Sequence, residues 1–139
     1  MDRIFFDTDI LMDVASHRDP FYADSLVVLD GCHQGKAKGA CSALSFANLA
    51  YLRRKDGKDR VMDFFLYLRK FIEITPMGET EVDKMLRDHF SDLEDSLQWH
   101  SAKSWEANTF VTRNVSDYPK HQKPKVISPA QYLSQRSRA

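Results

Sequence analysis

The chain has 139 residues, which is enough for one domain with a buried core and too few for two ordinary domains. Hydrophobic residues make up 42% and charged residues 29%, and Lys plus Arg balance Asp plus Glu at 20 each. This composition excludes a disordered or strongly basic protein. A function on nucleic acid would therefore have to rest on local separation of charge.

We expect neither a secretion signal nor a membrane span. Arg3 is followed by only three apolar residues before Asp7. No apolar run approaches about 18 residues, the length that suggests a span. Cys32 and Cys41 are the only cysteines, and they form no metal-ligand spacing. The sequence thus predicts a cytoplasmic protein with no membrane partner and two buried, reduced thiols.

Five short strands alternate with helices along the chain. The strands are predicted at residues 4–7, 38–42, 71–74, 109–112 and 125–127. The first helix is predicted from about residue 21 to 33, with Asp19 as N-cap and Pro20 at the first helical position. The second opens at Ser42 or Ser45 and runs to residue 54, and the others are predicted at residues 60–70, 79–89, 92–104 and 129–133. This alternation predicts an α/β domain with a parallel sheet over residues 1–133, followed by a polar, disordered tail at residues 134–139.

Carboxylates stand at the ends or starts of several predicted elements. Asp7 directly follows the apolar first strand, and Asp9 lies two residues further on. Asp92 and Asp95 lie three residues apart in the first turn of a predicted helix, on one face. Asp117 follows the fourth strand. A carboxylate is costly to bury unless it is bound to something, and Mg2+ prefers oxygen ligands.

Some of these acids have a purely structural explanation. Acidic side chains in the first turn of a helix complement its dipole and cap it, which explains Asp92 and Glu94. Glu94 is expected to point away from the face that Asp92 and Asp95 share. Asp117 alone would be a turn residue. The joint occurrence of these acids favours phosphodiester hydrolysis, in which a metal polarises the phosphate and lowers the pKa of the attacking water.

Four segments together resemble the PIN domain, most of all the small bacterial PIN proteins of the VapC type. The segments are Asp7-Thr8-Asp9, Ser42-Ala43-Leu44-Ser45, Asp92-Leu93-Glu94-Asp95-Ser96-Leu97-Gln98 and Val111-Thr112-Arg113-Asn114-Val115-Ser116-Asp117-Tyr118. The resemblance implies a three-layer α/β/α fold with a five-stranded parallel sheet in the order 3-2-1-4-5. It also implies a Mg2+- or Mn2+-dependent endoribonuclease, the toxin of a type II toxin–antitoxin pair. Such toxins act on RNA, are inhibited by a cognate antitoxin and form homodimers.

The resemblance assigns roles to residues by their position in these segments. The residues implied to act in catalysis and to hold the metal are Asp7, Asp95 and Asp117, with Asp9 and Asp92 as further metal ligands. The polar side chains implied to support them are Thr8, Asn48, Thr112 and Asn114. Arg113, in the turn after the fourth strand, is expected to contact RNA phosphates.

Two positions depart from the family pattern. The family usually has a glutamate where this chain has Asn48, and often an asparagine where this chain has Asp9. One hypothesis is that Asp9 offsets the charge missing at position 48. That hypothesis fails if Asp9→Asn leaves metal binding and cleavage unchanged. Asn48 also supports an alternative, a catalytically weak or inactive PIN-fold module that binds RNA or protein.

Two other protein classes place an aspartate after a central strand. A haloacid-dehalogenase-like phosphatase has Asp-x-Asp after its first strand and would use Asp7 as a covalent nucleophile. Ser42 could take the place of its second-strand Ser/Thr, but no lysine is well placed. A response-regulator receiver needs an aspartate at the end of its third strand. That strand ends here in Glu73-Ile74-Thr75-Pro76, so the receiver is rejected.

Overall fold

A computed structural model describes residues 1–137 of the chain. The strands are β1 (Arg3–Phe6), β2 (Lys38–Cys41), β3 (Ile72–Ile74), β4 (Thr109–Val111) and β5 (Lys125–Ile127). The helices are α1 (Thr8–Ala15), α2 (Tyr22–His33), α3 (Ala43–Leu52), α4 (Lys58–Arg69), α5 (Glu79–Arg87), α6 (Leu93–Ser104) and α7 (Pro129–Ser137). All strands run parallel in one sheet of order β3-β2-β1-β4-β5. The predicted three-layer fold and strand order are confirmed.

The central strand β1 positions the rest of the sheet. Phe5 lies beside Ala40 of β2 on one side and beside Phe110 of β4 on the other. Ile4, Phe5 and Phe6 are all buried, as expected for a parallel strand that has helices on both faces. The chain leaves this strand at Asp7, which therefore lies at the carboxyl edge of the sheet.

The sheet separates two hydrophobic cores. Ile4 and Phe6 point to one face, where they pack with side chains of α1, α2, α3, α4 and α7, among them Leu49. Phe5 points to the other face and packs with α6, chiefly through Trp99. Because successive strand residues point to opposite faces, three residues of β1 supply both cores. Among residues 1–137, no helix combines the length and the apolar character that a membrane span requires.

Helix α1 was not among the predicted elements. Its apolar residues Ile10, Leu11 and Val14 recur at helical spacing and pack into the larger core. The Asp7 side chain accepts a hydrogen bond from the Thr8 backbone N–H at 2.7 Å and caps this helix. The acidic segment that follows the first strand is therefore the start of a helix.

The start of α2 also differs from the prediction. Asp19 is not its N-cap and Pro20 is not its first residue, because the helix begins at Tyr22 with Phe21 at the cap position. The Asp19–Pro20 peptide is cis, and both residues lie in the turn before the helix. The Asp-Pro pair was correctly placed near a helix start, but it marks the turn and not the cap.

The last helix is longer than predicted. α7 continues past Leu133 to Ser137. Tyr132 and Arg136 both donate hydrogen bonds to the Asp2 carboxylate, at 3.0 and 3.3 Å, which fastens the helix to the segment before β1. Residues 134–137, which were predicted to be disordered, are therefore helical. The same prediction covered residues 138–139, which lie outside the described residues.

Gly39 of β2 stands where the larger core has no room for a Cβ. An added Cβ would lie 2.8 Å from Ile72 Cδ1, 2.9 Å from Cys32 Sγ and 3.1 Å from Phe6 Cε2. We expect Gly39→Ala to lower the free energy of unfolding, measured in urea, by about 1–3 kcal/mol, the usual cost of overpacking. Gly31→Ala on α2 is the control. No atom lies within 4 Å of its added Cβ, so it should stabilise the helix by up to about 1 kcal/mol. Equal effects of the two substitutions would contradict this explanation.

Candidate active site

The acidic residues gather at the carboxyl edge of the sheet, where β1 and β4 end side by side. Phe6 and Val111, the last residues of the two strands, are paired in register. The Asp7 backbone N–H donates to the Val111 carbonyl at 3.0 Å, which continues the ladder by one residue. The Asp7 residue is only 6% exposed. In open α/β sheets this edge is where ligands bind.

Both oxygens of the Asp7 carboxylate are hydrogen-bonded. Oδ1 accepts from the Thr8 backbone N–H, and Oδ2 accepts from Thr112 Oγ1 at 2.8 Å and from the Tyr118 hydroxyl at 3.0 Å. Burial raises the pKa of Asp7 above its ordinary value, and these hydrogen bonds oppose the rise because they favour the ionised form. The three donors therefore fix the orientation of this carboxylate.

Tyr118 connects Asp7 to Asp95 on α6. Its hydroxyl lies 3.0 Å from Asp7 Oδ2 and 3.0 Å from Asp95 Oδ1. Burial and these two negative charges raise the pKa of Tyr118 well above its ordinary value, so the phenol stays protonated. A hydroxyl has a single hydrogen and can donate to only one of two ionised carboxylates at a time. The two acids thus share one donor and keep part of their mutual repulsion.

Asp95 is the second acid with a raised pKa. Burial raises the pKa of Asp95 to about 6, although the Tyr118 hydrogen bond opposes the rise. The charges of Asp92, Asp7 and Asp117 add to it. Asp92 caps α6 by accepting from the Asp95 backbone N–H at 2.9 Å. Asp117 is exposed in the single 3-10 turn after β4, near enough for its charge to act on Asp95.

Asp9 lies in the first turn of α1 and faces the turn after β4. Its Oδ2 accepts from Asn114 Nδ2 at 3.0 Å and from the Arg113 backbone N–H at 3.4 Å. Burial, and then the charge of Asp7, raise the pKa of Asp9 to about 7. Its Oδ1 is buried and has no hydrogen-bond donor among residues 1–137. A buried carboxylate oxygen without a donor is costly, so this atom indicates a place for a cation.

Asn48 on α3 faces Glu94 on α6. Asn48 Nδ2 donates to Glu94 Oε1 at 2.6 Å. Asp95 contacts Tyr118 whereas Glu94 contacts Asn48, so the two side chains leave α6 in different directions. Burial is the main cause of the raised pKa of Asp7, and the charge of Glu94 adds to it.

A buried polar network lies directly behind the acids. Thr8 Oγ1 accepts from Gln98 Nε2 at 2.8 Å and lies 2.7 Å from Ser45 Oγ. Gln98 Oε1 in turn accepts from Ser42 Oγ at 2.5 Å. These bonds join the first residue of α1 to α3 and α6, and Ser42, Ser45 and Gln98 are essentially inaccessible to solvent. The hydroxyl of Thr8 therefore belongs to this network, while the backbone N–H of Thr8 donates to Asp7.

Arg113 is engaged in an ion pair with Asp13 of α1. Its Nε lies 2.7 Å from Asp13 Oδ2 and its Nη2 lies 3.2 Å from Asp13 Oδ1, a two-pronged contact. The guanidinium also lies over the Phe21 ring, 4.1 Å from its centroid. Asp13 is completely buried and the Arg113 side chain is 25% exposed. That Arg113 contacts phosphate stays a prediction, and the structure gives Arg113 a stabilising role as well.

The donor set of the cluster suits a hard divalent cation. Its side chains offer oxygen atoms, the ligands that Mg2+ and Mn2+ prefer. Within residues 1–137, no three acidic, histidine or cysteine side chains are already close enough to form a complete ligand set, and the Tyr118 hydroxyl lies between Asp7 and Asp95. A cation would nevertheless relieve both the mutual repulsion and the unpaired Oδ1 of Asp9.

Asp7 and Asp95 share the Tyr118 hydroxyl, and the charge of Asp7 acts on Asp9, but sequence reasoning did not find three of their neighbours. Tyr118 was quoted only as part of a motif, Glu94 was explained only by the helix dipole, and Asp13 received no role. Asp9 and Asp13 lie four residues apart, so they share one face of α1. The four-residue spacing indicates a shared face only if residues 8–15 form a helix, which the sequence analysis did not predict.

Comparison with known proteins identifies the family. The PIN domain profile matches residues 3–116, and the chain belongs to the PIN domain family. A search of curated proteins found no match. A toxin–antitoxin complex from Klebsiella pneumoniae contains a chain of the same fold, with 20% identity, a TM-score of 0.69, and coverage of 91% of this chain and 97% of that one. VapBC2 from Rickettsia felis, bound to a DNA fragment from its promoter, gives 16% identity, a TM-score of 0.63, and coverage of 91% and 98%. The resemblance inferred from the sequence is confirmed.

Asp95→Asn should stabilise the protein in EDTA near neutral pH. The pKa of Asp95 is raised from 3.8 to about 6. The folded state therefore binds more protons than the unfolded state between these values and loses stability as the pH rises from about 4 to about 6. We expect the variant to exceed the wild type by about 1 kcal/mol near pH 7, allowing for solvent screening, and to lose this advantage near pH 4. Chemical denaturation at each pH measures the difference.

The control for Asp95→Asn is Asp83→Asn, which removes an exposed carboxylate from α5. As a surface substitution, it should change the free energy of unfolding near pH 7 by less than about 0.5 kcal/mol. If the wild type is at least as stable as Asp95→Asn near pH 7, ionised Asp95 does not destabilise the folded protein and its pKa is not raised.

Removing Arg113 should destabilise the fold whatever its role toward RNA. Without it, the buried Asp13 carboxylate loses the partner that offsets its charge. We expect Arg113→Met to lower the free energy of unfolding in urea by about 3 kcal/mol. The double variant Asp13→Leu, Arg113→Met should recover most of this loss, because no unpaired charge remains. If the double variant is as unstable as Arg113→Met, the unpaired charge of Asp13 is not the cause of the lost stability.

Proposed function

We propose that this PIN domain protein is a Mg2+- or Mn2+-dependent endoribonuclease and the cytoplasmic toxin of a type II toxin–antitoxin pair. The observation that carries the proposal is the cluster of Asp7, Asp9 and Asp95 at the carboxyl edge of β1, where burial and neighbouring charges raise all three pKa values. Such a cluster destabilises the folded protein unless a cation is bound. Membership of the PIN domain family supports the same function.

The residues proposed to hold the cation are Asp7, Asp95 and Asp117, with Asp9 and Asp92 as further ligands. The chemistry that a bound Mg2+ or Mn2+ supplies is polarisation of the phosphate and a lower pKa for the attacking water. These residues lie on four separate segments of the chain, the β1–α1 junction, the first turn of α1, the start of α6 and the turn after β4. A correctly folded sheet edge is therefore needed to assemble the site.

Neutral donors orient the two acids that lie nearest the sheet. The backbone N–H of Thr8 and the hydroxyl of Thr112 each hold one oxygen of Asp7. Asn114 holds Oδ2 of Asp9 and leaves Oδ1 without a donor. These contacts fix the carboxylates before substrate binds, so little reorganisation is needed when charge develops in the reaction.

RNA is the proposed substrate, and Arg113 is the proposed phosphate contact. Its backbone N–H bonds to Asp9, which places the residue at the border of the acidic cluster. A quarter of its side chain remains exposed while Asp13 holds the guanidinium. A guanidinium that is oriented by one carboxylate can still present its remaining N–H groups to a phosphate oxygen.

The proposed protein partners are a cognate antitoxin and a second copy of this chain. The two solved structures of the same fold described above are a toxin–antitoxin complex and VapBC2 with promoter DNA. An antitoxin that covers the carboxyl edge of the sheet would separate the acids from RNA.

The second candidate function is a PIN-fold module that binds RNA or protein without cutting it. Asn48 favours this function, because it carries an amide where the family usually has a carboxylate.

The purified protein should cleave structured RNA when Mg2+ or Mn2+ is present. Addition of EDTA should stop the cleavage. Asp7→Asn and Asp95→Asn should each lower the cleavage rate by about 100-fold or more, because each removes a charge needed to hold the cation at the phosphate. Gel analysis of labelled RNA measures the rate. Asp83→Asn is the matched control and should cleave at the wild-type rate.

Other outcomes of the cleavage experiment would support one of the alternative functions. A wild type that binds RNA or an antitoxin and leaves the RNA intact would support the binding module. Hydrolysis of a simple phosphate monoester, lost in Asp7→Asn, would support the dehalogenase-like phosphatase. Cleavage that survives both active-site substitutions would point to a contaminating nuclease and contradict the proposed site.

A further inference from the structure

The contact between Asn48 and Glu94 is the outer of two links between α3 and α6. Asn48 Nδ2 donates to Glu94 Oε1 at 2.6 Å, a short distance typical of a hydrogen bond to an ionised carboxylate. The inner link is the buried network in which Ser45 and Gln98 meet at Thr8. Spacings of three residues on α3 and four on α6 put the members of both links on one face of each helix. The inner link therefore holds the helices at the separation that the outer pair needs.

Glu94 and Asp95 approach Asp7 from different directions. Successive residues of a helix differ by about 100° around its axis. Asp95 faces Tyr118, which bonds to Asp7, whereas Glu94 faces Asn48 of α3. Glu94 lies one helical turn before Gln98, whose amide donates to the hydroxyl of Thr8, the residue next to Asp7. Helix α6 therefore presents two adjacent carboxylates to the site, one on each side of its first turn.

Glu94 has no positively charged partner in the described part of the chain. Within residues 1–137, none of the ion pairs involves this residue. Its side chain is largely exposed and could extend into water, yet the amide of Asn48 on the neighbouring helix holds it in place. A cation bound at this edge of the sheet would be attracted to its charge.

We infer that Glu94 is a carboxylate of the metal site and that Asn48 is its positioning residue. Asn48 supplies the amide donor and Glu94 supplies the negative charge, so the amide at position 48 does not leave the site one charge short. Asp9 need not compensate for Asn48, since its own contacts are with the turn after β4. The inference rests on the metal dependence in the proposed function.

The test measures Mn2+ binding by isothermal titration calorimetry, independently of any cleavage. Glu94→Gln keeps the size of the side chain and removes its charge, and Asn48→Ala removes the donor. Loss of a group that orients a metal ligand typically costs 10- to 100-fold in affinity. We expect Glu94→Gln to bind Mn2+ about 10- to 100-fold more weakly, and Asn48→Ala to bind it about 10-fold more weakly.

A double variant tests the pair directly. Asn48→Glu combined with Glu94→Gln returns one carboxylate and one amide to the same contact from opposite helices. It should recover most of the affinity that Glu94→Gln alone loses. Melting temperatures in EDTA establish that each variant is folded before its binding is compared.

Glu79→Gln is the matched control, because Glu79 is also an exposed glutamate in the first turn of a helix. The start of α5 lies beside the far end of α6, since Ser104 donates to Glu81 Oε2 at 2.6 Å. Glu79→Gln thus changes a helix-dipole interaction without touching the site. Its Mn2+ affinity should equal that of the wild type.

The results distinguish the inference from the proposed function. If the wild type binds Mn2+ and either Glu94→Gln or Asn48→Ala binds it equally well, the inference is overturned and the proposed function stands. A folded double variant that binds no better than Glu94→Gln also overturns the inference. A wild type that binds neither Mn2+ nor Mg2+ overturns the metal dependence itself, and the inference with it.

Discussion

Repulsion between carboxylates at one edge of the sheet is the physical constraint on which the candidate site depends. The strand order places β1 beside β4, so Asp7 and the turn that begins at Thr112 are neighbours. α1 then brings Asp9 to the same place, and α6 brings Asp95. No single element carries the site. Burial raises the pKa of Asp7, Asp9 and Asp95, and the charge of Asp7 adds to the rise at Asp9 and Asp95. The packing of the sheet and helices must therefore provide the energy that holds these charges together.

Neutral groups donate the hydrogen bonds that hold these carboxylates in place. Thr112 bonds to Asp7, Asn114 bonds to Asp9, and Tyr118 is shared between Asp7 and Asp95. The charge of Arg113, the basic side chain in the turn after β4, is offset by the buried Asp13. Hydrogen bonds from neutral groups orient a carboxylate without cancelling its charge. The cluster therefore keeps its negative potential, which a protein that used lysine or arginine at these positions would lose.

The alternation of strands and helices is a local pattern, and it predicted the fold class; the strand order came from the resemblance to the PIN domain. Helix α1 was not predicted, although Val14 continues the helical spacing of Ile10 and Leu11. It could not predict the contacts of Glu94 with Asn48 or of Arg113 with Asp13. These partners lie 46 and 100 residues apart, and their meeting depends on how α1, α3 and α6 pack on the sheet.

Tyr118 belongs to the aromatic core as well as to the site. Its ring centroid lies 4.4 Å from that of Phe110 and 6.1 Å from that of Trp99. Trp99 is one of only two tryptophans in the chain, the other being Trp105. The indole of Trp99 is buried, and a single aromatic ring separates it from the acids. The protein therefore carries an intrinsic fluorescent reporter: whatever displaces the Tyr118 hydroxyl changes the surroundings of Trp99, and its emission registers events at the carboxylates without any attached dye.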